Sequence, residues 1–138
     1  MCSTGRINAV REAIGSGEDV NNKSFDRKTG LMRAVIGKHN SIVRLLLEQP
    51  TLDLNCTDDG SQAALHFAAM FDNVEGTRML LADPRLNTHN HKDNEGGTPV
   101  MLAMFHDSVN TLRTLIAHPS VDLDTRDGQR RSLEYHAR

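Results

Sequence analysis

The apolar residues of the chain recur at a nearly constant spacing. An apolar residue opens a short stretch with helical spacing at four positions, which are Leu31, Leu65, Val100 and Leu133. These positions are separated by 34, 35 and 33 residues. A period this regular predicts a repeated structural unit rather than one irregular globule.

A second set of short amphipathic segments lies between these stretches. The segments read NSIVRLLLEQP, VEGTRMLLADP and VNTLRTLIAHP, and their apolar residues, such as Ile42 and Leu45, recur at helical spacing. Proline cannot continue a helix, so the proline that closes each segment marks a helix exit, at Pro50, Pro84 and Pro119. Each unit is therefore predicted to contain a loop rich in Asp, Asn and Gly, a short helix, a tight turn and a second short helix.

This unit resembles the ankyrin repeat, in which a T-P-L-H-x-A signature follows an Asp/Gly-rich hairpin. ALHFAA at 64–69 and TPVMLA at 98–103 match the signature best, and TGLMRAV at 29–35 and RSLEYHA at 131–137 are degraded versions. The chain departs from the family where PTL, PRL and PSV replace the usual Gly-Ala at the helix exits. The resemblance implies an all-α solenoid of stacked helix pairs with hairpin-like finger loops.

The register of the repeat predicts one domain over residues 1–138. It would contain an N-terminal half repeat, three full repeats and a C-terminal half repeat, at residues 1–18, 19–52, 53–87, 88–121 and 122–138. Because one unit cannot bury its apolar faces alone, we expect the half repeats to act as caps. Alternatively, the two ends are points at which a longer array has been cut.

Composition and charge narrow the class of protein. The chain has 138 residues, of which 38% are apolar and 25% charged, as in soluble folded domains. The formal net charge of −2 gives no general attraction to nucleic acid or anionic lipid. No apolar run is long enough for a membrane span or a secretory signal. Cys2 and Cys56 read as free thiols, so we expect the chain in the reducing cytoplasm or nucleus. We also expect a monomer.

The stretch NTHNHKD contains the one pattern that suggests a metal. His89 and His91 lie one residue apart and, with His106, would make a metal-responsive module. A structural zinc site normally needs four converging ligands, and the equivalent loops of the other units carry no histidine. A polar loop is therefore favoured, with no metal or cofactor. In register, His89 takes the place of Leu54, although the unit's extra residue leaves this match open by one position.

Catalytic chemistry has little support in the sequence. His66 lies in the signature helix, with neither a paired nucleophile nor an orienting acid in sequence reach. The resemblance implies instead that His66 forms hydrogen bonds between adjacent units, and that Asn55 and Asn90 bridge turns in the loops. We therefore expect no enzymatic activity.

The resemblance also implies a concave groove, lined by the loops and by one face of the first helices. The predicted contact residues are Arg33, Asp59, Phe67, Met70, Phe71, Leu102, Phe105 and His106. Solvent-facing helix positions usually carry charge, so an aromatic and Met cluster there predicts a partner site. Alternatively, Phe67 and Leu102 fill gaps between helices. Arg33, in a basic unit, and Asp59, in an acidic loop, would set the direction of a bound segment.

The leading hypothesis is a non-enzymatic protein-protein interaction module that holds a segment of a protein partner in its groove. Two alternatives remain open. The chain could be a structural spacer within a longer ankyrin array that binds nothing itself. Less favoured is the metal-responsive module through the three histidines.

Overall fold

The computed structural model describes residues 27–122, which form six short helices in three pairs. In chain order they are α1 Gly30–Ile36, α2 Asn40–Leu47, α3 Ala64–Met70, α4 Val74–Ala82, α5 Pro99–Phe105 and α6 Val109–Ile116. No strand occurs within residues 27–122, so the all-α prediction is confirmed. None of these six helices is long and apolar enough to cross a bilayer.

We number the repeats by their helix pairs: α1–α2 is the first, α3–α4 the second and α5–α6 the third. Each pair lies inside one of the predicted full repeats, whose boundaries remain a prediction. The half repeat at 1–18 lies outside the described residues, as does that at 122–138 apart from Asp122. We call the loop before the first helix of a repeat its finger.

The helices stack in two layers. The first helices pack in the order α1, α3, α5, and the second helices pack in the order α2, α4, α6. The two helices of each repeat also pack on each other. Every repeat is therefore supported by its neighbours, as in a solenoid, and the prediction of stacked helix pairs is confirmed.

The core lies between these two layers. Leu31, Leu65 and Val100, which open the first helices, are at most 1% exposed. Leu80 and Leu115 of the second helices meet them and are fully buried. Burying one such side chain contributes about 2 kcal/mol, so a repeated apolar position stabilises every layer of the stack.

The first helices begin in two different ways. Thr29 and Thr98 precede α1 and α5, and each side-chain oxygen accepts a hydrogen bond from the amide three residues later, at 3.2 and 3.4 Å. Ala63 precedes α3 and has no side-chain oxygen to offer. Instead, its own amide donates to Nδ1 of His66 at 3.0 Å. The second repeat therefore lacks the N-cap that its neighbours have.

The turns between paired helices share one backbone conformation. Lys38, Asp72 and Asp107 have φ angles of 58°, 53° and 56°. This left-handed region favours glycine, yet all three positions hold residues with a Cβ. Aspartate adopts this region more readily than most residues with a Cβ, which suits Asp72 and Asp107, whereas Lys38 has no such local preference.

Candidate interaction surface

Two aromatic side chains stand out on the surface formed by the first helices. Phe71, directly after α3, is 43% exposed, and Phe105, the last residue of α5, is 47% exposed. Because α3 packs against α5, these rings lie on neighbouring helix ends. Met70, which precedes Phe71, is half-buried. The remaining exposed large apolar side chains of residues 27–122, Val109 at 46% and Ile116 at 46%, belong to α6 in the other layer.

The other predicted contact residues divide into buried and exposed sets. Phe67 is 4% exposed and Leu102 is 7% exposed, and both belong to the apolar core. This burial fits the alternative in which they fill gaps between helices, and it leaves little of either side chain for a partner. Arg33 and His106 are exposed. Lys28 lies with Nζ 5.3 Å from the centroid of the Phe67 ring and covers its outer side.

The charges of the first and second fingers face each other. Arg27 Nε lies 3.6 Å from Asp59 Oδ1, and Lys28 Nζ lies 3.2 Å from Asp58 Oδ2. Arg27 and Asp59 are well exposed, with side-chain exposures of 62% and 77%, so their pair contributes little to stability. The basic finger and the acidic finger partly neutralise each other. Asp59 is therefore already engaged within the chain.

Asn55 and Asn90 fasten each finger to the start of the next. Each Nδ2 donates to the backbone carbonyl 30 residues later, at 2.9 Å for Asn55 and 2.8 Å for Asn90. Each Oδ1 accepts from the backbone amide 32 residues later, at 2.8 and 2.6 Å. The two carboxamides are therefore equivalent, and they bridge turns as the resemblance implied.

This equivalence corrects the register of the third finger. Leu54, which is buried, directly precedes Asn55, whereas the buried Thr88 is separated from Asn90 by His89. Thr88 is the counterpart of Leu54, and the match of His89 to Leu54 is wrong by one position. His89 is therefore an inserted residue.

The three histidines of the metal hypothesis have different surroundings. The ring of His89 stacks on that of His118, with centroids 5.2 Å apart. His91 Nε2 lies 3.0 Å from Ser61 Oγ, and His106 is the exposed residue that directly follows α5. Within residues 27–122, no group of three or more His, Cys, Asp or Glu side chains is placed to hold a metal. These contacts do not bring the three predicted ligands together.

His66 connects the second and third repeats. Its ring is fully buried, Nδ1 accepts from the amide of Ala63 at 3.0 Å, and Nε2 contacts the carbonyl oxygen of His91 at 2.8 Å. An imidazole that accepts at Nδ1 must carry its proton on Nε2, so His66 is neutral and donates to His91. Burial lowers the pKa of His66 below its ordinary value near 6.5.

One comparison concerns the repeat itself. A family model described as ankyrin repeats (3 copies) matches residues 1–90. The chain belongs to the ankyrin repeat family. Ankyrin repeats generally mediate protein-protein interaction, and the matched family is an interaction module rather than an enzyme family.

Two relatives are much longer than this ankyrin repeat chain. Transient receptor potential cation channel subfamily A member 1 of Homo sapiens is 29% identical over 76 residues, which are 55% of this chain and 7% of that protein. Inversin of Gallus gallus is 34% identical over 101 residues, which are 72% of this chain and 9% of that protein. The match therefore spans less than a tenth of either relative.

Sequence reasoning missed two side chains of these ankyrin repeats. Arg85 reaches back to the first repeat through hydrogen bonds to Leu47 and Gln49, and His118 pairs with His89. Both lie at helix exits: Arg85 belongs to the PRL segment that departs from the family pattern, and His118 directly precedes the PSV segment. The departure itself was the available signal.

Proposed function

We propose that this ankyrin repeat chain binds a segment of a protein partner across the ends of α3 and α5, in the concave groove. The observation that carries the proposal is the exposure of Phe71 and Phe105, at 43% and 47%, on helices that pack side by side. Aromatic side chains are enriched among the residues that contribute most of the binding energy of protein interfaces.

The spacing of the two rings defines the partner's contact residues. Packed helices are about 8–10 Å apart, so the partner would present two apolar side chains separated by a similar distance. Met70 extends the apolar surface beside Phe71, and His106 adds a polar edge beside Phe105. Phe67 and Leu102 support this surface from beneath, because both are buried.

Charge argues for an acidic residue in the partner, toward the first repeat. Arg33 and Lys38 lie on the first-helix side of that repeat, and both are exposed. The segment is therefore expected to be apolar in its middle and acidic at one end. Asp59 contributes less to direction than the sequence predicted, because Arg27 lies within 3.6 Å of its carboxylate.

The test compares two double variants. The first, Phe71→Ala with Phe105→Ala, removes the proposed contact residues. The second, Val109→Ala with Ile116→Ala, removes two apolar side chains of similar fractional exposure, 46% each, from α6. Partners captured from a cell extract would be purified and titrated against each protein by calorimetry. Each lost aromatic contact should cost about 2 kcal/mol or more, so the first variant should bind at least about a hundredfold more weakly.

The α6 variant is the control for non-specific binding through exposed apolar side chains. A purified partner that binds all three proteins equally, or that loses affinity for the α6 variant alone, would refute this surface. Circular dichroism of both variants establishes that the helices are intact.

The spacer hypothesis gains some support from the lengths of the relatives, since the matched stretches cover 7% and 9% of them. In a spacer, further repeats would cover the aromatic surface in the intact protein. Hydroxyl-radical labelling of the Phe71 and Phe105 side chains in a longer natural chain distinguishes the two functions, because covered rings would be protected without any partner.

A further inference from the structure

The rings of His89 and His118 connect the inserted residue of the third finger to the exit of α6. Their centroids are 5.2 Å apart and their planes are inclined by 25°. Both side chains are half-buried. The finger is held to the same exit by Asn90, which donates to Ser120 O at 2.8 Å and accepts from Asp122 N at 2.6 Å.

His118 also makes a turn bond that a carboxylate makes in the preceding repeat. Ser120 N donates to His118 Nδ1 at 3.1 Å, whereas Arg85 N donates to Asp83 Oδ1 at 2.9 Å in the equivalent turn. A carboxylate remains an acceptor at any pH above about 4. An imidazole stops accepting when it is protonated, at a pH near 6.5. The exit of the third repeat therefore depends on a bond that protonation of His118 at Nδ1 would remove.

We propose that the His89–His118 pair is an acid-released latch, which holds the third finger on the turn at 118–122 when both rings are neutral and frees it when they are protonated. Protonation of His118 Nδ1 would set an N–H against the N–H of Ser120. A second proton, on His89, would place two positive charges on stacked rings. Both changes would displace Ser120, whose carbonyl oxygen accepts the hydrogen bond from Asn90 Nδ2.

The environment of the pair supports release in mild acid. Burial lowers the pKa of His89, and the neighbouring charge of His118 lowers it further. His89 is therefore held neutral by the fold until the pH falls below its ordinary value near 6.5. The latch rests on the stack and on the Ser120 bond, and it does not depend on the proposed partner.

The other ionisable groups around the latch come from few elements. α5 carries no ionisable side chain. The one ionisable side chain of α3 is His66, which is hydrogen-bonded to the carbonyl oxygen of His91. α4 contributes Glu75 and Arg78, and Arg78 lines the same surface groove as His118. α6 itself carries Arg113, and Asp122 lies at the end of the turn.

Amide hydrogen exchange of the whole chain tests the latch, with an internal control in the preceding repeat. Between pH 7.5 and 5.5, after correction for intrinsic exchange, the Ser120 and Asp122 amides should lose protection about tenfold more than the Arg85 and Asn87 amides. The factor follows from a histidine one pH unit below its ordinary value. Global destabilisation would affect both pairs of amides alike.

Two variants make the outcome decisive. His118→Asp restores the carboxylate of the second repeat and should abolish the extra loss at Ser120. His89→Ala removes the stacked ring whose pKa the fold lowers, so the extra loss at Ser120 should become smaller. Equal loss at Ser120 and Arg85 in the wild type, or persistence of the full extra loss in His118→Asp or in His89→Ala, would overturn the proposal.

Discussion

The second and third repeats have the same helix plan, yet they are fastened to their surroundings differently. Asn73, at the start of α4, is buried and accepts from Gly76 N at 2.9 Å, and it donates to Val35 O and Asn40 Oδ1 at 3.0 Å each. Ser108, at the start of α6, makes no side-chain capping bond within residues 27–122. The start of α6 is instead tied to the second repeat by Asp72, whose Oδ1 accepts from Thr111 N and Thr111 Oγ1 at 3.2 and 2.8 Å. The two junctions are therefore bonded through different residues.

The turns that follow α4 and α6 also differ in their hydrogen bonds. After α4, Arg85 donates to the carbonyls of Leu47 and Gln49 at 2.8 and 2.9 Å, and so covers the C-terminal end of α2. After α6, Ser120 stands where Arg85 stands after α4, and its side chain is too short to reach the preceding repeat. Its amide donates instead to His118 Nδ1, and the His118 ring stacks on that of His89. Apolar spacing determines the helix plan, whereas single polar residues at the junctions determine how firmly each repeat is held.

The largest expected effect comes from Asn73→Ala. The change removes three hydrogen bonds and leaves Val35 O and Gly76 N buried without this partner, so unfolding should become about 3 kcal/mol easier. Urea unfolding followed by circular dichroism measures the change. A Cβ at Gly76 would lie 2.7 Å from Asn73 Nδ2, which explains a glycine inside α4.

Ser108→Ala is the matched variant for this comparison. Because Ser108 makes no capping bond within the described residues, its loss should cost less than about 1 kcal/mol. Similar losses for the two variants would mean that the hydrogen bonds of Asn73 add no stability at the start of α4 beyond what Ser108 provides at the start of α6.

A smaller effect is expected for Arg85→Met, which keeps the length of the side chain but removes its donors. Loss of the charge-assisted bonds to Leu47 and Gln49 should cost about 2 kcal/mol in the same urea assay. Arg85 also holds the pKa of Asp83 below its ordinary value, so that pKa should rise in the variant, as NMR titration would show.

Arg78→Met controls for loss of an arginine from α4. Arg78 is 64% exposed and lies 3.6 Å from Glu75, so its loss should cost no more than about 0.5 kcal/mol. An Arg85 variant as stable as the Arg78 variant would contradict the role assigned to the exit turn.

The contrast between the repeats shows what could be predicted from the sequence. The positions of Leu31, Leu65 and Val100 predicted the helix pairs, because burial between two layers demands an apolar residue once per repeat. Periodicity also places Phe67 and Phe71 on one helix face, four residues apart. Periodicity alone could not show that Phe67 is buried and Phe71 exposed, because the burial of each ring depends on how far the neighbouring helix extends.

Contacts between distant residues were beyond the same reasoning. The stack of His89 on His118 joins the finger of the third repeat to the exit of α6, and the second repeat has Asp83 where the third has His118. The left-handed turns at Lys38, Asp72 and Asp107 were equally hidden, because no glycine marks them.

Acidification should weaken the second repeat through His66, whose counterpart in the third repeat, Met101, cannot titrate. The pKa of His66 is lowered in the fold, so between that value and 6.5 the unfolded chain binds more protons. The contribution is complete above 6.5 and is lost as pH falls through this window. At pH 5.5 the loss from one such group is at most about 1.4 kcal/mol.

Free energies of unfolding at pH 7.5 and 5.5 measure this loss in the wild type and in His66→Gln. Glutamine can accept from Ala63 N and donate to His91 O without titrating. The variant should therefore show a smaller difference between the two pH values. An unchanged difference would assign the acid sensitivity to another group.

The smallest expected effect is a gain, from Ala63→Thr. The backbone at Ala63 has φ −96° and ψ 176°, close to that of Thr98 with −92° and 166°, so a threonine there can adopt the same capping geometry. Its hydroxyl would accept from the amide of His66 and stabilise the chain by about 1 kcal/mol, and Thr98→Ala should lose a similar amount. Both changes are read from the urea midpoint. If Ala63→Thr leaves the midpoint unchanged while Thr98→Ala lowers it, the bond from Ala63 to the His66 ring already fixes the start of α3, and the second repeat needs no cap.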